Sequence, residues 1–229
     1  MLQFFRHFTD LIYPNLCLIC GESLVASESQ LCLQCFNNIP KTNYHLQKNN
    51  PVEKRFWGKA PVERASSYFF FQKGSDFQKL IHELKYKGNK EVGVAAGKYA
   101  AVDLLESPDF MAADVIIPVP LHPKKEAKRG YNQSYIIGKG MAEILAKPLV
   151  GNNLTRVQER TTQTRKSVYE RFENTQGIFE LRNPEELQGK HVLLVDDVLT
   201  TGSTLEACIQ ALLAADNVKV SVFTLAVAM

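Results

Sequence analysis

No run of about 18 or more apolar residues occurs in the chain, so no segment reads as a membrane-spanning helix. Neither charge sign is in large excess. Lys and Arg number 27 against 24 Asp and Glu, and the formal charge of +3 argues neither for nor against a nucleic-acid partner. There is one tryptophan, Trp57, and no internal repeat or low-complexity tract interrupts the sequence. Met1 to Asp10 places Arg6 and His7 in an aromatic stretch with no long apolar core and no small-residue cleavage site. It is not expected to be a secretory signal, and a cytosolic, cytoplasmic location follows as the expectation. What is present is hydrophobic content: 45% of 229 residues, enough for a sizeable core and against disorder. The length allows one large domain, or one domain plus a small one.

The richest segment runs Val-Leu-Leu-Val-Asp-Asp-Val-Leu-Thr-Thr-Gly-Ser-Thr from Val192 to Thr204. Val192 to Val195 read as a strand buried on both faces of a parallel sheet. Thr200, Thr201, Gly202, Ser203 and Thr204 offer consecutive backbone N–H groups and hydroxyls, and Gly202 lets the backbone come close to a ligand. The helix that follows starts with free N–H groups and the positive end of its dipole, which suits a phosphate. Asp196 and Asp197 are poor phosphate ligands and good acceptors for sugar hydroxyls. Together these residues predict a sugar-phosphate pocket at the carboxyl edge of a parallel strand.

Four of the five cysteines form a pattern, Cys17-x2-Cys20 and Cys32-x2-Cys35, with Gly21 allowing a tight turn. Two such knuckles suit tetrahedral Zn²⁺ held by four thiolates, a closed and therefore structural site. A segment this short has little core, so metal binding would drive its folding. Two redox or disulfide pairs and an iron–sulfur cluster are the alternatives for the same thiols. Cys208 falls on the apolar stripe of a helix and reads as a small core residue.

Along the chain, residues 1–45 form the four-cysteine zinc-binding module and 46–64, with Asn49, Asn50, Pro51, Pro61 and Trp57, read as a linker. The main domain is 65–229. Within it a strand is predicted at 66–71, then a helix capped by Asp76 and stopped at Gly88, and a helix from 90 to 105. A strand at 115–117 leads into a polar loop reaching Gly130, and a helix spans 133–146. Residues 155–175 read as an exposed, mobile loop, and a candidate strand covers 177–181. The strand 192–195, a helix over 203–215 and a strand over 218–227 complete it. Alternation of strands and helices predicts an α/β fold with a mostly parallel sheet flanked by helices.

Two further loops carry charge. Pro118-Val119-Pro120-Leu121 leads into Lys124, Lys125, Lys128 and Arg129, then Gly130-Tyr131-Asn132-Gln133; if this strand neighbours the Val192–Val195 strand, the cations reach the same cleft, where they suit a phosphate-bearing ligand. Residues 156–174 hold Arg156, Arg160, Arg165, Lys166 and Arg171, a basic loop suited to closing over a charged transition state. Lys85-Tyr86-Lys87-Gly88 ends a helix, where cations complement the dipole with or without a further role, and His82 reads as structural.

The segment Val192–Thr204 resembles the signature of type I phosphoribosyltransferases, which bind phosphoribosyl pyrophosphate (PRPP). The whole chain from about residue 10 resembles the ComF-like competence-protein family of phosphoribosyltransferase homologues, associated with DNA uptake in natural transformation. The carrying residues are the four cysteines, Leu84-Lys85-Tyr86-Lys87-Gly88, Ile117 to Leu121, Arg129 to Gln133, Arg160 with Gln163, Glu170-Arg171 with Asn174, and the signature. The resemblance implies a type I phosphoribosyltransferase-like domain behind a small zinc-ribbon or knuckle module. It implies ribose hydroxyls on Asp196 and Asp197, a 5-phosphate wrapped by Val198 and Thr200 to Thr204, and pyrophosphate near Pro118, Val119, Pro120 and Leu121. Arg129 and Arg160 would stabilise charge, and Mg²⁺ would join pyrophosphate and ribose oxygens mainly through substrate and water. Purine-salvage members often carry an acid where this chain has Thr200, which weakens that reading. Residue 2 is Leu and no Cys precedes Cys17, so the glutaminase of purine amidophosphoribosyltransferases is not expected. Two functions stay open at this point. One is a phosphoribosyltransferase with an unnamed acceptor. The other is an inactive PRPP-sensing protein, or one that binds single-stranded DNA or a protein of the uptake machinery.

Overall fold

A computed structural model describes residues 14–157 and 177–228. Its centre is a four-stranded, all-parallel sheet built from β1 (Ala65–Phe71), β2 (Val115–Pro118), β5 (His191–Leu199) and β6 (Lys219–Ala228), in the order β1-β6-β5-β2. Val115 to Pro118 pair with Val192 to Val195, so the two strands that precede the charged loops lie side by side. Two shorter strands, β3 (Leu154–Arg156) and β4 (Phe179–Leu181), pair antiparallel. Three short helices, α1 (Leu33–Asn37), α2 (Pro51–Lys54) and α5 (Pro108–Met111), punctuate the connections.

The central strands are apolar on both faces because helices cover both. Alternation along β5 sorts its side chains between two cores: Leu193 and Val195 join one, Val192, Leu194 and Leu199 the other. Helices α3 (Gln78–Tyr86), α4 (Lys90–Leu104) and α7 (Gln133–Leu145) cover the first face with Leu84, Leu104, Ile137 and Met141. Helix α8 (Ser203–Leu212) covers the second with Leu205, Cys208, Ile209 and Leu212, and the buried Cys208 is a core residue as its helical spacing predicts. Where α4 crosses α7 the backbones touch. A methyl group added at Gly97 would overlap the Ile137 carbonyl, and one at Gly140 the Val94 carbonyl.

The amino-terminal ribbon is not a free appendage. Cys17, Ile19, Leu31 and Cys35 lie in the same buried cluster as Phe69, Leu80 and Val92. Lys79 Nζ donates to the Ile19 carbonyl (2.7 Å) and Tyr99 Oη to the Ser29 carbonyl (2.6 Å).

Several expectations need correction. Residues 46–64 are packed structure: Asn50 caps α2, and Val52 and Phe56 are wholly buried under the sheet. Arg64 is held there by Glu53 (2.7 Å) and Asp109. Asp76 does not cap α3, whose N-cap position is Phe77; its carboxylate meets Lys79 at 3.2 Å instead. The stretch read as a polar loop contains α6 (Pro123–Arg129), capped by His122 Nδ1 accepting from the Lys124 amide (3.1 Å) and ended by Gly130 at φ 79°. Leu154–Arg156 is a strand, and β5 runs four residues beyond Val195, so both aspartates stand on the strand itself.

Candidate functional site

The carboxyl ends of β2 and β5 open into a cavity of about 590 Å³. Its floor is the pair Asp196 and Asp197. Asp196 Oδ1 accepts from Ser134 Oγ in the first turn of α7 (2.7 Å) and from the Asp197 amide (2.8 Å). Burial and then the adjacent Asp197 charge push the Asp196 carboxyl up from 3.8 to about 7, against the opposing pull of its two hydrogen bonds and of Lys85. Asp197 Oδ2 sits 3.1 Å from Lys85 Nζ, an ion pair in which the side chains keep only 14% and 23% of their exposure.

Beyond β5 the chain turns at Thr200 to Gly202. Gly202 holds φ 91° at the start of α8, a conformation that costs side-chain-bearing residues free energy. The Glu206 amide is the first to bond back, to the Gly202 carbonyl (2.9 Å). Among the described residues, the amides of Thr201, Gly202, Thr204 and Leu205 make no hydrogen bond to protein. Four unpaired donors at a helix start form a cradle for an anion. Arg55, from the stretch expected to be a linker, braces this turn by donating to the Thr200 carbonyl and, at 3.0 Å, to the Ala228 carbonyl.

The opposite wall comes from β2. Pro118 pairs with Val195 in the sheet, the Val119 amide donates to the Val195 carbonyl (2.8 Å), and Asn132 Nδ2 donates to the Val119 carbonyl (2.9 Å). Val119, Pro120 and Leu121 therefore form a fixed shelf beside the aspartates. Lys125 and Arg129 of α6 line the same space. Arg129 Nη1 donates to Gln133 Oε1 (2.6 Å), and its guanidinium lies 5.7 Å from the centre of the Tyr86 ring.

Of the residues singled out from sequence, Asp196, Asp197, Val198, Thr200, Thr204, Val119, Pro120, Leu121 and Arg129 all face this one cavity. Pro118, Thr201, Gly202 and Ser203, predicted with them, are not among the residues that line it. Arg160, with Gln163, Glu170, Arg171 and Asn174, lies outside the described residues. Sequence reasoning missed Ser134, whose signal was its place after the capping Asn132, and left Lys85 undecided. His82, read as structural, lines the cavity, and Arg156 reaches it from β3.

The second predicted site is also assembled. The Sγ atoms of Cys17, Cys20, Cys32 and Cys35 lie within 4.8 Å of one another. Gly21 turns the first knuckle at φ 80°. The Cys32 amide donates to Cys17 Sγ (3.3 Å) and the Cys35 amide to Cys32 Sγ (3.4 Å). Burial opposes ionisation of Cys17, but N–H donors from Cys20, Cys32 and Ile19 outweigh it and bring the thiol down to about 6. Four converging sulfurs with N–H donors to thiolate fit structural Zn²⁺, for which all four would be ligands. Among the described residues no helix is long and apolar enough to cross a membrane.

Residues 132–229 match the family described as Phosphoribosyl transferase domain, and residues 8–46 the Double zinc ribbon domain. The chain is 29% identical over 202 residues to DNA utilization protein YhgH of Shigella flexneri, covering 87% of this chain and 84% of that protein. It is 37% identical over 109 residues to Competence protein F of Haemophilus influenzae, covering 47% and 48% of the two chains. With Competence protein ComFC of Bacillus subtilis the identity is 31% over 112 residues, 48% of this chain and 43% of that one.

Proposed function

We propose a function for a chain that belongs to the ComF-like competence-protein homologues and joins a double zinc ribbon to a phosphoribosyl transferase domain: it binds PRPP through its ribose 5-phosphate half. The observation that carries the reading is the set of unpaired amides at Thr201, Gly202, Thr204 and Leu205 directly behind two aspartates. A phosphate monoester in that cradle brings its ribose hydroxyls to Asp196 and Asp197. The anomeric substituent then points to the Val119–Leu121 shelf, where Lys125 and Arg129 meet pyrophosphate. Mg²⁺ fits as a partner of the substrate rather than of the protein, since Asp197 is already paired with Lys85 and Asp196 holds its proton to near neutrality; bound with pyrophosphate it supplies charge neutralisation at the leaving group.

As an enzyme the protein is a phosphoribosyltransferase, a glycosyltransferase-class transferase. An acceptor nucleophile attacks the anomeric carbon, the carbon–oxygen bond to pyrophosphate breaks, and the electron pair leaves with pyrophosphate. Cations on the shelf stabilise the charge that develops there. Titration calorimetry on the intact protein with PRPP and Mg²⁺ tests the reading. Saturable heat that disappears in Asp196→Asn supports it, whereas a folded protein giving no heat at millimolar PRPP removes it.

The second reading is a cytoplasmic binding protein that senses PRPP while its ribbon and basic loops contact single-stranded DNA or a partner of the DNA-uptake machinery. It is favoured by the names of the relatives and by the ribbon sharing one core with α3 and α4. Binding to a single-stranded oligonucleotide that falls steeply with salt supports it; no binding at low salt ends it.

A further inference from the structure

Three consecutive residues at the end of α3 each engage a different element around the cavity. The Leu84 carbonyl accepts from Tyr131 Oη (2.5 Å), in the loop that follows α6. Lys85 Nζ holds Asp197 (3.1 Å). The Tyr86 ring stands 5.7 Å from the Arg129 guanidinium and 5.0 Å from the His82 ring, with no place in the core, since it stays 69% exposed. The helix stops directly afterwards, at Lys87 and the left-handed Gly88, so the three residues form its last turn. An ordinary helix end with cations would leave Lys85 over its own carbonyls. Here its ammonium is committed to a carboxylate from another element.

We propose that the tip of α3 is a two-pronged positioning device, in which Lys85 holds Asp197 for the ribose half of the ligand and Tyr86 holds Arg129 for the pyrophosphate half. This rests on the PRPP reading above. Two adjacent carboxylates at the floor of a cavity repel each other, and each must stay oriented to accept hydroxyl protons. A cation held beside the second one from outside the sheet, at 3.1 Å, offsets that repulsion and keeps the carboxylate aimed. Arg129 ends a short helix at the cavity mouth, where its long side chain has many rotamers. The hydrogen bond to Gln133 and the Tyr86 ring together limit them, so less entropy is lost when pyrophosphate binds. Neither Lys85 nor Tyr86 need touch the reacting atoms, so these are positioning residues.

The two halves can be probed separately on the full chain, with ribose 5-phosphate for one and pyrophosphate with Mg²⁺ for the other. Lys85→Met is expected to weaken ribose 5-phosphate by about tenfold, the loss of one charge-assisted contact, and to leave pyrophosphate within about twofold. Tyr86→Ala is expected to do the reverse, weakening pyrophosphate by about threefold and sparing ribose 5-phosphate. Lys85→Arg should restore most of the ribose 5-phosphate affinity. A merely structural role for the helix end would weaken both probes in both variants, and that outcome overturns the inference, as does a Lys85→Met protein that binds ribose 5-phosphate like the wild type. If the wild type binds neither probe, the PRPP reading itself is wrong and the inference goes with it.

Discussion

Replacing Asp196 with Asn should stabilise the unliganded protein while abolishing the ribose contact proposed for this carboxylate. The folded protein favours the uncharged form of Asp196: burial and Asp197 raise its carboxyl from 3.8 to about 7. A raised folded-state value means the folded protein binds the proton more tightly than the unfolded chain. Stability therefore falls as pH rises from about 4 to about 7, and the loss is complete above that range. At about 1.4 kcal/mol per tenfold, the full rise corresponds to roughly 4 kcal/mol; because Asp196 is partly open to the cavity, about 2 kcal/mol is the better figure. Asn keeps the shape and can still accept from Ser134 Oγ and the Asp197 amide, the two bonds that Oδ1 makes now. Urea unfolding of both proteins between pH 4 and pH 8.5 provides the assay. The two curves should nearly coincide at pH 4 and separate as pH rises, with the variant ahead by about 2 kcal/mol at pH 8, or roughly 4–8 °C in Tm. A gap that stays constant with pH, or a wild type that is the more stable at pH 8, refutes the reasoning. Such an exchange of stability for function is usual for a binding carboxylate held in a poor solvent.

Chelation at neutral pH should release one Zn²⁺ per chain through the exposed Cys20 and lower the Tm of the whole domain, because the ribbon's buried residues share a core with Phe69 and Leu80; a metal-free protein that melts like the loaded one contradicts this. Gly140→Ala should cost about 3 kcal/mol in urea unfolding, since its methyl group would press on backbone, the Val94 carbonyl and the Lys98 amide, that has no rotamer to give. Gly202→Ala should cost about 1–2 kcal/mol for its φ of 91° and weaken inorganic phosphate binding measured by calorimetry; equal phosphate affinity would show that the cradle lies elsewhere.

The parallel sheet, its flanking helices and the aspartate floor were legible because they rest on local pattern. Continuous apolar runs marked β2 and β5, alternating small and apolar residues marked β6, and helical-period apolar stripes marked α7 and α8. The cysteine spacing carried the ribbon. What the sequence concealed depended on contacts between distant segments. Residues 46–64 have the Pro and Asn content of a connector, yet Val52 and Phe56 are core, because the second face of the sheet needed covering. The helix over 123–129 has almost no apolar stripe, being on the surface, and its cap is a histidine rather than a common capping residue. Lys85 could be read equally as a dipole partner; only the fold brings Asp197 to it across 112 positions. Ser134 bears no mark in the sequence beyond sitting in a first turn, and its bond to Asp196 depends on α7 lying against β5.

The glycine crossing of α4 and α7 sets which parts of this protein are free to change. Ser134 rides on a helix clamped backbone to backbone, so the side of the pocket that carries Asp196 is an anvil and cannot slide to suit a new guest. Adaptation to a different ligand is left to the rim, at the α3 tip and the β3–β4 pair, where side chains can be exchanged without disturbing that clamp. Divergence among descendants of this scaffold should therefore be written at the pocket mouth, with Gly97 and Gly140 left alone.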